Sequence, residues 1–154
     1  MGWVPIFFSF HGRINRAKYW LAVLIIFIFD IALSLLGLAI GETTAFQIFS
    51  VLVNLAIFVA SFAIAIKRLH DRNRSAWWLL LFYMGPVLFI ATGVAIMWAV
   101  AGSAGIAQGG ASFLLAFCLI GGFALAIWGS VEIGFLRGTT GYNRFGPDPL
   151  ARSL

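Results

Sequence analysis

Residues 66–78 read IKRLHDRNRSAWW, a basic segment that lies between two long apolar runs. The segment holds four cations and one acid, Asp71, with His70 beside it. Each arginine at the centre of a bilayer costs about 3 kcal/mol or more, so the segment is expected to lie in water. The side of the membrane on which it lies then determines the direction of the apolar run before it and of the run after it.

The composition indicates an integral membrane protein. Of the 154 residues, 62% are hydrophobic and 10% are charged, whereas charged residues make up roughly 25% of a soluble domain. No soluble fold of this length has enough interior to hide so much apolar surface. The net charge of +5 is attributed to cations that flank membrane spans, so no nucleic-acid partner is expected. The single cysteine cannot form an internal disulfide.

Four apolar runs are each long enough to cross a bilayer, which takes about 20 helical residues. The predicted spans cover about 19–40, 44–66, 77–100 and 112–136. Aromatic residues at the start of two spans are predicted to anchor them at the membrane interface. These anchors are Tyr19, Trp20, Trp77 and Trp78. The predicted fold is an all-α membrane protein, one membrane domain over 1–154, built from two antiparallel helix hairpins.

The ten lysines and arginines all fall on one side of the membrane when the chain crosses it four times. They occupy an N-terminal segment 1–18, the basic segment and a tail 137–154, whereas the other two loops hold none. Because Lys and Arg accumulate in cytoplasmic loops, both termini and the basic segment are predicted to be cytoplasmic.

The three cytoplasmic segments carry recognisable motifs: FHGRINRAKYW at 10–20, RLHDRNRSAWW at 68–78 and GTTGYNRFGPDP at 138–149. Together, and in this order, they resemble domain-of-unknown-function family 805 (DUF805), a family of small bacterial inner-membrane proteins. Asn73 and Ala76 stand where that family usually has glycine, and Asn tolerates a positive φ better than most residues. The resemblance implies a helical domain in the bacterial cytoplasmic membrane, and it implies no activity.

Acidic residues close to these cations predict that the three segments fold into one cytoplasmic cap. Asp71 is expected to pair with Lys67 or Arg68, which precede it by four and three residues. Glu132 and Asp148 are expected to meet arginines of other segments, and the tail is expected to pack on the basic segment. The predicted cap residues are Arg13, Arg16, Arg68, His70, Asp71, Glu132, Asn143 and Asp148.

His70 and Asp71 have a second interpretation, as an acid–base pair that acts on lipid headgroups. Neighbours in sequence point in different directions on a helix, so we prefer the interpretation in which His70 caps a helix end and the chain is not an enzyme. His11 and His70 have no third ligand in the sequence pattern, so no metal site is predicted, and no motif indicates a cofactor.

Asp30 and Asn54 predict a polar seam between the first two spans. Each lies twelve residues from Glu42 in the turn, so an antiparallel hairpin places both at the same depth, roughly 18 Å from the turn. Ser34 and Ser50 match in the same way at eight residues from Glu42. We expect Asn54 to donate a hydrogen bond to Asp30, either as a structural lock or as a proton or ion site.

Three classes of function follow from these patterns. The preferred class is a membrane protein that acts through protein or lipid interactions, as a scaffold or accessory subunit in contact with anionic headgroups, a membrane-protein partner or a second copy. The alternative is a transporter or channel component that uses Asp30 and Asn54, which requires an oligomer because four helices are few for a pore. The third class is a headgroup-processing enzyme.

Overall fold

The computed structural model describes residues 3–41, 43–100 and 106–151. Glu42 of the predicted first turn, residues 101–105 of the predicted loop and Arg152 of the tail lie outside the described residues. Within those ranges the regular structure is helical, and four helices are long and apolar enough to cross a membrane. The predicted fold class is therefore confirmed.

The first of two compact units comprises Met1–Ser75 together with Arg137–Leu154. It contains a short helix α1 (Trp3–Phe8) and two long helices, α2 (Arg16–Ile40) and α3 (Thr44–Asp71). The side chain of the residue before each long helix accepts a hydrogen bond from a backbone N–H of the first turn, which satisfies one of the donors that a helix start leaves unpaired.

Helices α2 and α3 form an antiparallel hairpin. Gly37, near the end of α2, packs against the ring of Phe46 at the start of α3. At the other end of the pair, Ala22 and Ile64 belong to one buried apolar cluster with Ile14. These contacts close the hairpin at both ends, as the sequence predicted.

The end of α3 differs from the prediction. The predicted span ends at residue 66, whereas the helix continues to Asp71 through half of the basic segment. Lys67 and Arg68 were expected in water, but both have 0% of their surface exposed. They lie inside the first unit, where protein oxygen atoms replace the water that would otherwise solvate them.

The second unit covers Ala76–Leu136 and contains the other hairpin. Helix α4 (Trp77–Ala99) includes a π-helical turn at Leu80–Met84, immediately before Gly85–Pro86. A proline has no N–H and its ring crowds the preceding turn, so Pro86 gives a physical reason for the altered hydrogen-bond pattern just before it.

Helix α5 runs over 106–135, with α-helix at Ile106–Ser130 and a π-helical turn at Val131–Phe135. It begins before the predicted position 112, and Gly109 and Gly110 lie inside the helix although each glycine costs about 1 kcal/mol there relative to alanine. A β-carbon added at Gly93 of α4 would lie 2.8 Å from the β-carbon of Cys118 in α5. The small residues thus allow the two helices to approach closely.

Candidate functional site

Asp71 is the buried carboxylate at the centre of the cap, which we define as residues 9–16, 67–75 and 137–151. Its Oδ1 atom accepts hydrogen bonds from Arg13, at 3.1 Å from Nε and 3.0 Å from Nη2. Its Oδ2 atom accepts a hydrogen bond from Nη1 of Arg68, one helical turn earlier. The predicted pairing of Asp71 with Arg68 is confirmed, and two guanidinium groups offset the cost of burying one carboxylate.

Arg13 also binds the tail. Its Nη1 atom donates to the carbonyl oxygens of Gly141 at 2.7 Å and Gly146 at 3.1 Å, and Nη2 donates to the carbonyl oxygen of Thr139. One side chain therefore connects the segment before α2, the end of α3 and the tail. The structure brings together Arg13, Arg68, Asp71 and the tail, as the three motifs predicted.

Gly138 brings the tail against Asp71. A β-carbon added at Gly138 would lie 1.9 Å from Oδ2 of Asp71, far inside the distance at which atoms can pack. The next residue, Thr139, donates its backbone N–H to the carbonyl oxygen of Asp71 at 2.8 Å and its hydroxyl to the same oxygen at 3.1 Å. This backbone contact requires a residue without a side chain at position 138.

His70 holds the tail through its ring and its backbone. The ring stacks on Phe145, with 3.8 Å between ring centroids and 7° between planes, and Nδ1 lies 3.2 Å from the carbonyl oxygen of Gly12. Its carbonyl oxygen accepts a hydrogen bond from Nδ2 of Asn143 at 3.0 Å. The expectation that His70 caps a helix end is wrong, because its ring contacts Phe145 of the tail and the carbonyl oxygen of Gly12, which lies in the loop before α2.

The turn after α3 explains one departure from the family pattern. Asn73 has a φ of 57°, a left-handed conformation in which Asn replaces glycine at little cost. Its N–H donates to the carbonyl oxygen of His70 at 3.0 Å. Ala76 has a φ of −58°, so this position needs no glycine.

Lys67 is the residue whose role the sequence prediction missed. Its Nζ atom donates to the carbonyl oxygens of Pro5, at 2.6 Å, and Ile6. These carbonyls belong to the last turns of α1, where a cation complements the negative end of the helix dipole. Helical periodicity could have indicated the burial, since Lys67 continues the stripe that contains buried Ala60 and Ile64.

Replacing Lys67 by Met is expected to release α1 while leaving the long helices folded. A helix of six residues is unstable alone, and it loses hydrogen bonds from a charged donor worth roughly 1.5–3 kcal/mol each. Hydrogen exchange of the purified protein should show faster exchange over Pro5–Phe10 only. Lys18→Met is the matched control, and equal exchange rates in the two variants would contradict the assigned role of Lys67.

The polar seam is only partly as predicted. Asp30, Ser34, Ser50 and Asn54 line one groove of about 380 Å³ between α2 and α3. The expected hydrogen bond from Asn54 to Asp30 is wrong: Nδ2 of Asn54 donates instead to the carbonyl oxygen of Ser50 at 2.8 Å. Ser34 likewise donates to a carbonyl of its own helix. A short polar side chain reaches the carbonyl four residues earlier without any movement of the helices, so this hydrogen bond forms in place of one between the two helices.

A polar cleft of about 270 Å³ lies where α2 begins and is lined by Asn15, Arg16, Arg137 and Thr140, among others. Asp148 also lines it, but its carboxylate does not form the expected arginine ion pair in the described part of the chain. It accepts hydrogen bonds from the backbone N–H of Leu150 at 2.9 Å and of Gly141 at 3.1 Å.

These two hydrogen bonds hold the pKa of Asp148 below its usual value, and the one from Leu150 has the larger effect. Ionised Asp148 therefore stabilises the folded cap fully at a pH above the ordinary carboxyl pKa. This stabilisation is lost as the pH falls through the lowered pKa of Asp148.

The remaining predicted residues lie in both units. Glu132 belongs to the second unit, where its side chain is buried in the π-helical turn. Among the predicted interface anchors, Trp77 is 76% exposed, whereas Trp78 packs edge-to-face on Trp128 with 6.0 Å between ring centroids. In the first unit, the rings of Tyr19 and Trp20 pack edge-to-face, with 5.6 Å between ring centroids.

Comparison with known proteins identifies similar sequences. The profile of a family described as "Protein of unknown function (DUF805)" matches residues 7–147. The chain is 38% identical over 76 residues to inner membrane protein YhaH of Escherichia coli K12, an alignment that covers 48% of this chain and 63% of YhaH. Inner membrane protein YhaI of the same strain is 38% identical over 76 residues, covering 49% of this chain and 63% of YhaI. The chain thus spans less than two thirds of either relative. No solved structure matches the chain.

Proposed function

This chain belongs to the DUF805 family of proteins of unknown function, as its motifs predicted, and from that premise we propose that it acts in the membrane through interactions made by its cap. The interactions are with anionic lipid headgroups and with membrane-protein partners, in the manner of a scaffold or accessory subunit. The cap lies at the cytoplasmic face, with both termini on that side, because the cations of the chain cluster in its three segments.

The observation that carries this proposal is that three cations of the cap are buried and bound by the protein itself. Arg13, Lys67 and Arg68 are buried and bound to protein oxygen atoms, so they shape a fixed surface instead of contacting lipid. A buried ion pair adds little net stability compared with apolar packing. What these charges provide is a defined arrangement of three distant segments. A defined surface at the end of membrane spans suits recognition.

Other cations remain on the surface of this cap, among them Arg16, Arg137 and Arg144. Basic residues next to a membrane attract anionic lipids by about 1 kcal/mol each. The cap therefore combines a rigid framework with exposed positive charge at the height of the headgroups.

The test is gentle detergent extraction followed by mass spectrometry of the proteins and lipids that co-purify. We expect anionic lipids to be enriched over their share of the membrane, or one protein partner to appear in a fixed ratio. An unrelated four-span membrane protein extracted in parallel is the control. Lipids in bulk proportion together with no partner would contradict the proposal.

A transporter or channel component is the second candidate, favoured by the groove that Asp30, Ser34, Ser50 and Asn54 line together. Intramembrane carboxylates usually face a partner or a water-filled cavity. The groove is open along its side, so a second copy or a partner helix would have to enclose it. Ion flux into proteoliposomes that is lost in Asp30→Asn would favour this candidate over the first.

A further inference from the structure

We infer that the cleft at the start of α2 binds a phosphate group, which deepens and rests on the proposed function. The cleft is formed within the first unit by the residues that open α2 and by the first part of the tail. Its lining joins two arginines from segments more than a hundred residues apart, Arg16 and Arg137. The fold of the cap is what places them around one cavity.

The lining offers hydrogen-bond donors suited to phosphate oxygens. The guanidinium of Arg137 is exposed, and no hydrogen bond or ion pair within the described ranges engages it. Asn15 uses its side-chain oxygen to cap α2, so its amide N–H groups remain available as donors. Thr140 adds an exposed hydroxyl. Guanidinium groups bind phosphate through two parallel hydrogen bonds, which makes arginine the common choice at such sites.

Two acids also line the cleft, and both are already satisfied by the protein. Arg13 and Arg68 bind the carboxylate of Asp71, and backbone N–H groups bind that of Asp148. Four arginines therefore stand against two carboxylates in and directly around the cleft. The N-terminus of α2 adds the positive end of a helix dipole. The net field favours an anion.

Position and size favour a phosphate carried by a lipid. The cleft lies where α2 begins, and the apolar run of that helix starts at Tyr19, about one turn after Arg16. Headgroup phosphates occupy this height beside a membrane helix. The volume of about 270 Å³ is below the roughly 300–1,000 Å³ of drug-sized ligand pockets, so it suits a phosphate with a small polar group.

The test compares Arg137→Gln with a matched control, Lys18→Gln. Both remove one positive charge near the start of α2, but only Arg137 lines the cleft. Native mass spectrometry would count lipids retained from nanodiscs of phosphatidylglycerol and phosphatidylcholine. A second measurement would follow the Tm of the detergent-purified protein during titration with orthophosphate at constant ionic strength.

We expect Arg137→Gln to weaken binding of phosphate or phosphatidylglycerol about tenfold, the effect of losing one charge-assisted contact. Lys18→Gln should change it less than about twofold, because Lys18 does not line the cleft and salt screens a charge that acts over a longer distance. Thr140→Val should give a smaller loss in the same direction. The Tm of unliganded Arg137→Gln should equal that of the wild type, which shows that the variant folds.

The outcomes separate the sources of phosphate and the two proposals. Phosphatidylglycerol that orthophosphate displaces identifies a headgroup, and orthophosphate binding without lipid retention identifies a free phosphate compound; both support the site. Equal losses in Arg137→Gln and Lys18→Gln, or no loss in either, overturn it. Enrichment of anionic lipid and binding of orthophosphate that are both undiminished in Arg137→Gln overturn the cleft inference alone, and the proposed function then stands.

Discussion

Asp71→Ala should detach the tail and destabilise the first unit by about 3–5 kcal/mol, the cost of leaving buried charge without its partner. The substitution removes the acceptor of Arg13 and Arg68, and both guanidinium groups are buried. Neither arginine can reach water without opening the cap. The tail should then become sensitive to protease in inside-out vesicles, and the midpoint of chemical unfolding in detergent should fall.

Asp148→Ala is the control for this experiment. Asp148 also lies in the cap and carries a carboxylate, but the hydrogen bonds it accepts come from backbone N–H groups of the tail and it is not buried, so the effect should be much smaller. If the tail of Asp71→Ala resists protease as well as that of the wild type, the buried ion cluster is not what holds the cap together.

Gly138→Ala is expected to have an effect of similar size from a single methyl group. The added carbon would lie 1.9 Å from Oδ2 of Asp71, so either the tail or the carboxylate must move. Overpacking in a tight site costs about 1–3 kcal/mol, and here it also disturbs the Asp71 hydrogen bonds. Thermal unfolding and protease release of the tail would measure the loss.

The control is Gly110→Ala in α5, where an added β-carbon meets no atom within 4 Å. Alanine is favoured over glycine inside a helix by about 1 kcal/mol, so this variant should be unchanged or more stable. Equal Tm values for Gly138→Ala and Gly110→Ala would show that the tail does not pack against Asp71 as described.

Local patterns in the sequence determined the fold class and the segments of the cap. The apolar run from Tyr19 to Ile40 must form a helix in a membrane, since every backbone polar group has to be paired within the span. Arg68 and Asp71 are three residues apart, so a helix brings them together without help from the rest of the chain. Such features depend on neighbours in sequence and can be predicted from it.

Only the tertiary structure decided which partner each polar group takes. Arg13 meets Asp71 across 58 residues and Gly141 across 128, and Lys67 meets Ile6 across 61. No sequence period encodes these distances, so the sequence could not identify the carbonyl oxygens that Arg13 and Lys67 bind. The polar seam shows the opposite case, since Asn54 has a partner four residues away and takes it instead of Asp30. The composition of a segment therefore shows that its charges cannot lie in the bilayer. The packing of distant segments determines which partners those charges bind.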